Sequence, residues 1–232
     1  MKKIVIIAMG LVASATALAQ DKVEATIAAD FVSQYVWRGL DCGNVSVQPT
    51  LGVAYKGFSL SAWGSVGIAR AEDMKEIDLT LEYTTGGLTV GVVDYWNDMA
   101  DPRYFFYEAH GTGHVLETFA AYDFGPLSVS WQTIWAGNDG FNKQEKRAYS
   151  SYAELQAPFR LASCDWEATV GVVPYATTFY ETTGFAVTNV TLQASKAVKI
   201  TDSFSLPVFA QVVANPCHGN AYFVFGITIS AD

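Results

Sequence analysis

The sequence predicts an all-β fold: a transmembrane antiparallel up-and-down β-barrel of about twelve strands. Three observations carry this expectation. The chain of 232 residues is 50% hydrophobic and only 16% charged, against roughly 25% charged in ordinary soluble domains. After residue 20 its apolar residues form no long run and are spread by alternation instead. The connections between alternating segments are short and long in turn, as in bacterial outer-membrane barrels.

The first residues read MKKIVIIAMGLVASATALAQ. Lys2 and Lys3, the apolar residues 4–13 and the small-x-small group at 17–19 form the pattern of a cleavable secretory signal. That apolar stretch is shorter than the roughly 20 residues a membrane helix needs. The expected division is therefore a signal peptide over residues 1–19 and a barrel over residues 20–232, in the outer membrane of a Gram-negative cell. Removing the leader leaves 12 of the 14 basic residues against all 23 acids, a net charge of −11. That balance excludes nucleic acid as a partner, because such binding draws on Lys and Arg to neutralise phosphates.

Side chains alternate across a strand, so period-two segments have one apolar and one polar face. Residues 76–84 show it: Ile77, Leu79, Leu81 and Tyr83 oppose Asp78, Thr80 and Glu82. The same pattern places strands near residues 23–38, 45–55, 58–69, 76–84, 88–97, 114–123, 127–136, 149–157, 165–175, 185–199, 204–214 and 221–230. Most approach the roughly 9–11 residues a tilted strand needs to span a bilayer. Tight connections rich in Gly, Pro, Asp and Ser fall at 56–57, 85–87, 123–126, 158–164 and 201–203. Longer ones fall at 39–44, 70–75, 97–113, 137–148, 176–184 and 215–220. Twelve strands put both ends of the barrel on the short-turn side. Tyr35, Trp37, Tyr55, Phe58, Tyr83, Tyr95, Trp96, Tyr122, Phe124, Trp135, Tyr175, Phe185 and Phe204 lie near strand ends, where interfacial girdles form.

The segments DFVSQYVWRGLD (residues 30–41) and VQPTLGVAY (residues 47–55) resemble the opening of the TorF-type family of bacterial outer-membrane porins. SLSAWGSVGIA (residues 59–69) and EIDLTLEY (residues 76–83) continue the likeness, which covers about the first third of the exported chain. The resemblance implies an outer-membrane channel and carries no catalytic residues. Barrels of this kind often end in an aromatic residue, whereas this sequence ends Ser230-Ala231-Asp232.

The polar faces nominate lumen-lining residues Asp30, Gln34, Arg38, Asp78, Glu82, Glu117, Glu154 and Glu167, with Arg38 and Lys196 as the evident partners for the acids. A buried carboxylate needs water or a cation. The expected function is a narrow channel for small polar or cationic solutes. The alternatives are a non-conducting barrel acting through external loops and a lipid-modifying enzyme. The long connection at 97–113 can fold inward as a constriction, with Asp101, Arg103 and Glu108 setting selectivity. A lipid-modifying site would use Glu108 with His110, but no nucleophile motif accompanies them. His110, His114 and His218 are expected in loops, and the glycines between His110 and His114 oppose a metal site, so neither metal nor cofactor is expected. Cys42 and Cys217 fall in the first and last long connections, neighbours once the barrel closes, and form a candidate disulfide. Cys164 lies at the opposite end. The expected partners are outer-membrane lipid and small polar solutes; the oligomeric state is left open.

Overall fold

The computed structural model describes residues 22–70, 72–202 and 204–231; the expected leader lies outside them. Strands β1 (Glu24–Val32), β4 (Ser46–Tyr55), β5 (Phe58–Gly67), β6 (Lys75–Thr85), β7 (Leu88–Asn97) and β8 (His114–Asp123) form half of a barrel wall. The other half is β9 (Ser128–Gly137), β10 (Ser151–Leu161), β11 (Cys164–Val173), β12 (Ala186–Lys199), β13 (Ser205–Asn215) and β14 (Asn220–Ser230). Each pairs antiparallel with its neighbour, and β1 closes on β14 from Ala28↔Ser230 to Val32↔Gly226. A separate two-stranded hairpin, β2 (Tyr35–Trp37) with β3 (Leu40–Gly43), lies between β1 and β4.

The wall is polar inside and apolar outside. On β6, Glu76, Asp78 and Glu82 are 5–8% exposed, while Ile77, Leu79 and Leu81 are 41–50% exposed. A water-soluble barrel would hide the second set and wet the first. Tyr55, Phe58, Tyr83, Tyr122, Phe124 and Phe204 stand exposed near the short-turn end, and Trp135, Tyr175 and Phe185 near the other. Phe58 packs on Tyr83 with centroids 4.6 Å apart, and Tyr122 on Phe124 at the same distance. Tyr35, Trp37 and Tyr95 depart from the expected girdle, because they line the interior.

Strand prolines stand where a ladder is interrupted, since proline has no N–H to donate. Pro49 pairs with Ala29 on β1, but the β4–β5 ladder breaks between Val47↔Val66 and Thr50↔Trp63 and resumes in the same register. Pro158 pairs with Glu167, beyond the last β9 partner of β10 at Gln156↔Ser128. The chain therefore runs straight through the turn expected at 158–164 and reverses only at Ala162-Ser163, both at positive φ.

The main departure is the first strand. Alternation continues to residue 38, yet the wall strand stops at Val32. Ser33 N donates to Phe225 O, and its hydroxyl accepts from Phe225 N. The chain then leaves the wall and enters the lumen as the β2–β3 hairpin.

Candidate functional site

Arg38 and Gly39 form the tip of this hairpin, between the paired Trp37 and Leu40. Both have positive φ, 51° and 81°, which suits a two-residue hairpin turn. A side chain at residue 39 would bring Cβ to 1.9 Å from the Thr188 carbonyl oxygen, so only glycine fits this approach. The Gly39 carbonyl accepts from Asn215 Nδ2 at 3.1 Å. On one side Val36 packs with Val32, Val213 and Val224; on the other Trp37 and Leu40 pack on Tyr152, Val173 and Tyr180. The hairpin is thus wedged across the barrel.

At its tip Arg38 meets Glu117 of β8, which stands seven strands from β1 one way round the barrel and five the other. Nη1 and Nη2 donate to Oε2 and Oε1 at 2.7 Å each, a two-pronged ion pair of the strong kind. Nη1 also donates to the Tyr180 hydroxyl at 2.6 Å. The guanidinium lies 4.2 Å from the Trp37 ring centroid and 4.7 Å from that of Tyr152. Tyr95 donates to Glu117 at 3.0 Å, and Tyr152 to Glu154 at 2.6 Å. Burial works against the charge on Arg38, but Glu117 with Tyr180 and Tyr95 outweighs it and holds the guanidinium protonated far above its usual range. Burial also raises the Tyr180 hydroxyl well above the ordinary tyrosine range.

Around this node lies a cavity of ≈ 170 Å³. Its lining carries six carboxylates (Asp30, Asp78, Glu82, Glu117, Glu154 and Glu167) and one guanidinium, Arg38. Asp30 accepts from Thr228, and Glu154 from Gln156 at 2.8 Å. Asp78 Oδ1 and Glu76 Oε2 are buried without a hydrogen-bond partner. Amides, among them Gln132, Asn189 and Gln211, line the cavity between and beside these carboxylates. Gln34, expected in the lumen, sits half-buried in the bend before β2, away from the cavity. Lys196 is exposed and shares parity with the outward-facing Leu192 and Val198, so it does not serve the lumen acids.

The expected constriction by residues 97–113 is corrected. Asp101 and Arg103 pair with each other at the rim, with the Arg103 side chain 66% exposed, and Glu108 is exposed. Hydrogen bonds from Arg103 hold the Asp101 carboxyl down to about 2. This connection spends its polar groups on itself. His114, expected in a loop, is fully buried at the start of β8, with Nδ1 2.8 Å from Asp94 Oδ1 and its ring stacked on Tyr107 at 4.3 Å. His110 Nδ1 lies 2.9 Å from the Asp139 carbonyl and its ring stacks on Phe141, so it joins two loops rather than facing Glu108. Residues 138–150 and 174–185 are in turn tied by Phe141 N to Thr178 Oγ1, and the second of them delivers Tyr180 to Arg38.

The Cys42–Cys217 disulfide is also corrected: all three cysteines are free. Cys42 travels inward with the hairpin, where its Sγ contacts the Leu40 carbonyl, while Cys217 stays exposed. Burial, with the charge of Glu76, pushes the Cys42 thiol far above its normal range.

Fold and lumen together define a closed twelve-stranded barrel, apolar outside and acidic within, crossed by an internal hairpin. No family model matches the chain, so the TorF-type likeness rests on its motifs alone, and no curated protein matches it. Among solved structures the chain is similar to a KdgM porin, with a TM-score of 0.45 and 8% identity over 89% of this chain and 98% of that one.

Proposed function

We propose that this chain, exported by its leader, is an outer-membrane barrel forming a narrow, cation-preferring channel for small polar solutes. In this reading the β2–β3 hairpin is its constriction and the long connections face outward. The reading rests on one observation: a cavity lined by six carboxylates and one guanidinium lies inside a cylinder whose outer face is apolar. Only a non-aqueous surround makes that outer face stable. Twelve strands also lie between the packed eight-stranded barrels and the open sixteen-stranded ones. Because the hairpin is bonded across the lumen by Arg38, a second reading has support: a barrel that stays shut and acts through its loops. Planar-bilayer recording under a potassium chloride gradient separates them. The channel reading expects a reversal potential displaced toward the potassium equilibrium value; protein that inserts without conducting overturns it.

A further inference from the structure

The register sets three inward-facing side chains in one row. Trp63 on β5 is the cross-strand partner of Asp78 on β6, and Asp78 is the partner of Tyr95 on β7. Directly opposed strand residues bring their Cβ atoms to about 4.5–5.5 Å, so the carboxylate stands between two rings. The hairpin supplies two more: Tyr35 packs on Trp63 at 5.4 Å between centroids, and Trp37 on Tyr95 at 5.6 Å. All five residues line the cavity. The Tyr95 hydroxyl is committed to Glu117. Asp78 is only 8% exposed, and its Oδ1 has no hydrogen-bond partner.

A buried carboxylate without a partner is costly, and aromatic faces attract cations. The same lumen already shows a guanidinium held in this manner, since Arg38 lies over Trp37 and Tyr152 and forks onto Glu117. A cavity of ≈ 170 Å³ far exceeds the roughly 10–15 Å³ that is enough to hold one water. A bare metal ion is the poorer occupant, because among the described residues no three His, Cys, Asp or Glu side chains converge on one point.

We infer that Asp78, flanked by Trp63 and Tyr95, binds the head group of a compact organic cation, an ammonium or guanidinium, and makes such cations the preferred solutes of the channel. This rests on the channel reading for its physiological meaning, but binding is measurable without conduction. Folded barrel in detergent micelles is titrated calorimetrically with methylguanidinium chloride, and with sodium chloride at equal ionic strength. Saturable heat is expected for methylguanidinium alone. Asp78→Asn should bind at least about tenfold more weakly, as loss of a charge-assisted contact implies, and Trp63→Leu should weaken binding while retaining Asp78. Heat-modifiable gel mobility confirms that each variant is folded. Equal titrations for wild type and Asp78→Asn, or equal heats for the two salts, overturn the inference. Conduction without methylguanidinium binding overturns it alone; binding without conduction supports the site and overturns the channel.

Discussion

Replacing Arg38 with alanine removes the latch that holds the hairpin tip against β8. The wild-type contacts are two hydrogen bonds of 2.7 Å to Glu117, one of 2.6 Å to Tyr180, and two ring contacts under 5 Å. The side chains of Arg38 and Glu117 are 9% and 1% exposed, so water screens the pair little. Breaking a buried pair of this kind costs about 3–5 kcal/mol. The pocket borders a polar cavity that can admit water to Glu117, which favours the lower figure. Each 1.4 kcal/mol is tenfold in an equilibrium, so about 3 kcal/mol multiplies the ratio of undocked to docked hairpin by roughly a hundred. The apolar contacts of Val36 and Leu40 remain and set the starting ratio. Single-channel recording of Arg38→Ala should therefore show open probability rising by up to about two orders of magnitude, with larger unitary conductance. Glu117→Gln should move the same way, and the double variant should add little, because both changes remove one interaction. Folded, inserted Arg38→Ala with open probability within about twofold of wild type would refute the latch.

Gly39→Ala should undock the hairpin with Arg38 intact, since the new Cβ would meet Thr188 O and the backbone keeps a φ of 81°; unchanged conductance and gating would count against the docked tip. Leu79→Arg places a charge on the outer face and should lower unfolding stability in lipid vesicles by about 2–4 kcal/mol if it lies at the bilayer midplane; an unchanged urea midpoint would contradict the membrane-facing assignment. A polar maleimide at pH 8 should label Cys217 in the folded barrel and Cys42 only after unfolding. Only the thiolate reacts, and a thiol whose titration is displaced upward, as that of Cys42 is by burial and Glu76, has less thiolate at any such pH. A Cys42–Cys217 cross-linked peptide in non-reducing maps would refute this arrangement.

The twelve wall strands were legible because alternation is a local property: Ile77 and Leu79 face lipid or core whatever the rest of the chain does, and the alternating turn lengths order the strands. Most of the lumen acids followed from parity alone. The hairpin was not legible in this way, because Tyr35 and Trp37 keep strand parity with Phe31. What turns them inward lies far along the chain: Glu117 is 79 residues from Arg38 and Tyr180 is 142. The one local sign is Arg38-Gly39, a dipeptide suited to a tight turn in the middle of an apparent strand. The connection at 97–113 misled through length, since nothing local shows that His114 and Asp101 satisfy its polar groups within the rim.

If the barrel conducts as proposed, the position of Arg38 couples the width of the lumen to its charge. Docked, the hairpin both occupies space and neutralises Glu117 through its ion pair with Arg38. Undocked, it withdraws volume and leaves the Glu117 carboxylate facing the lumen without its counter-charge, where it attracts cations. Opening therefore raises the attraction for cations as it removes the steric barrier, and an anion gains the space but meets a stronger repulsion. A plug held by neutral contacts would widen the lumen without changing its preference. The two designs differ in one measurable respect: the reversal potential in a salt gradient should become more cation-selective in Arg38→Ala than in wild type, even though the variant's pathway is wider and a wider pathway by itself discriminates less.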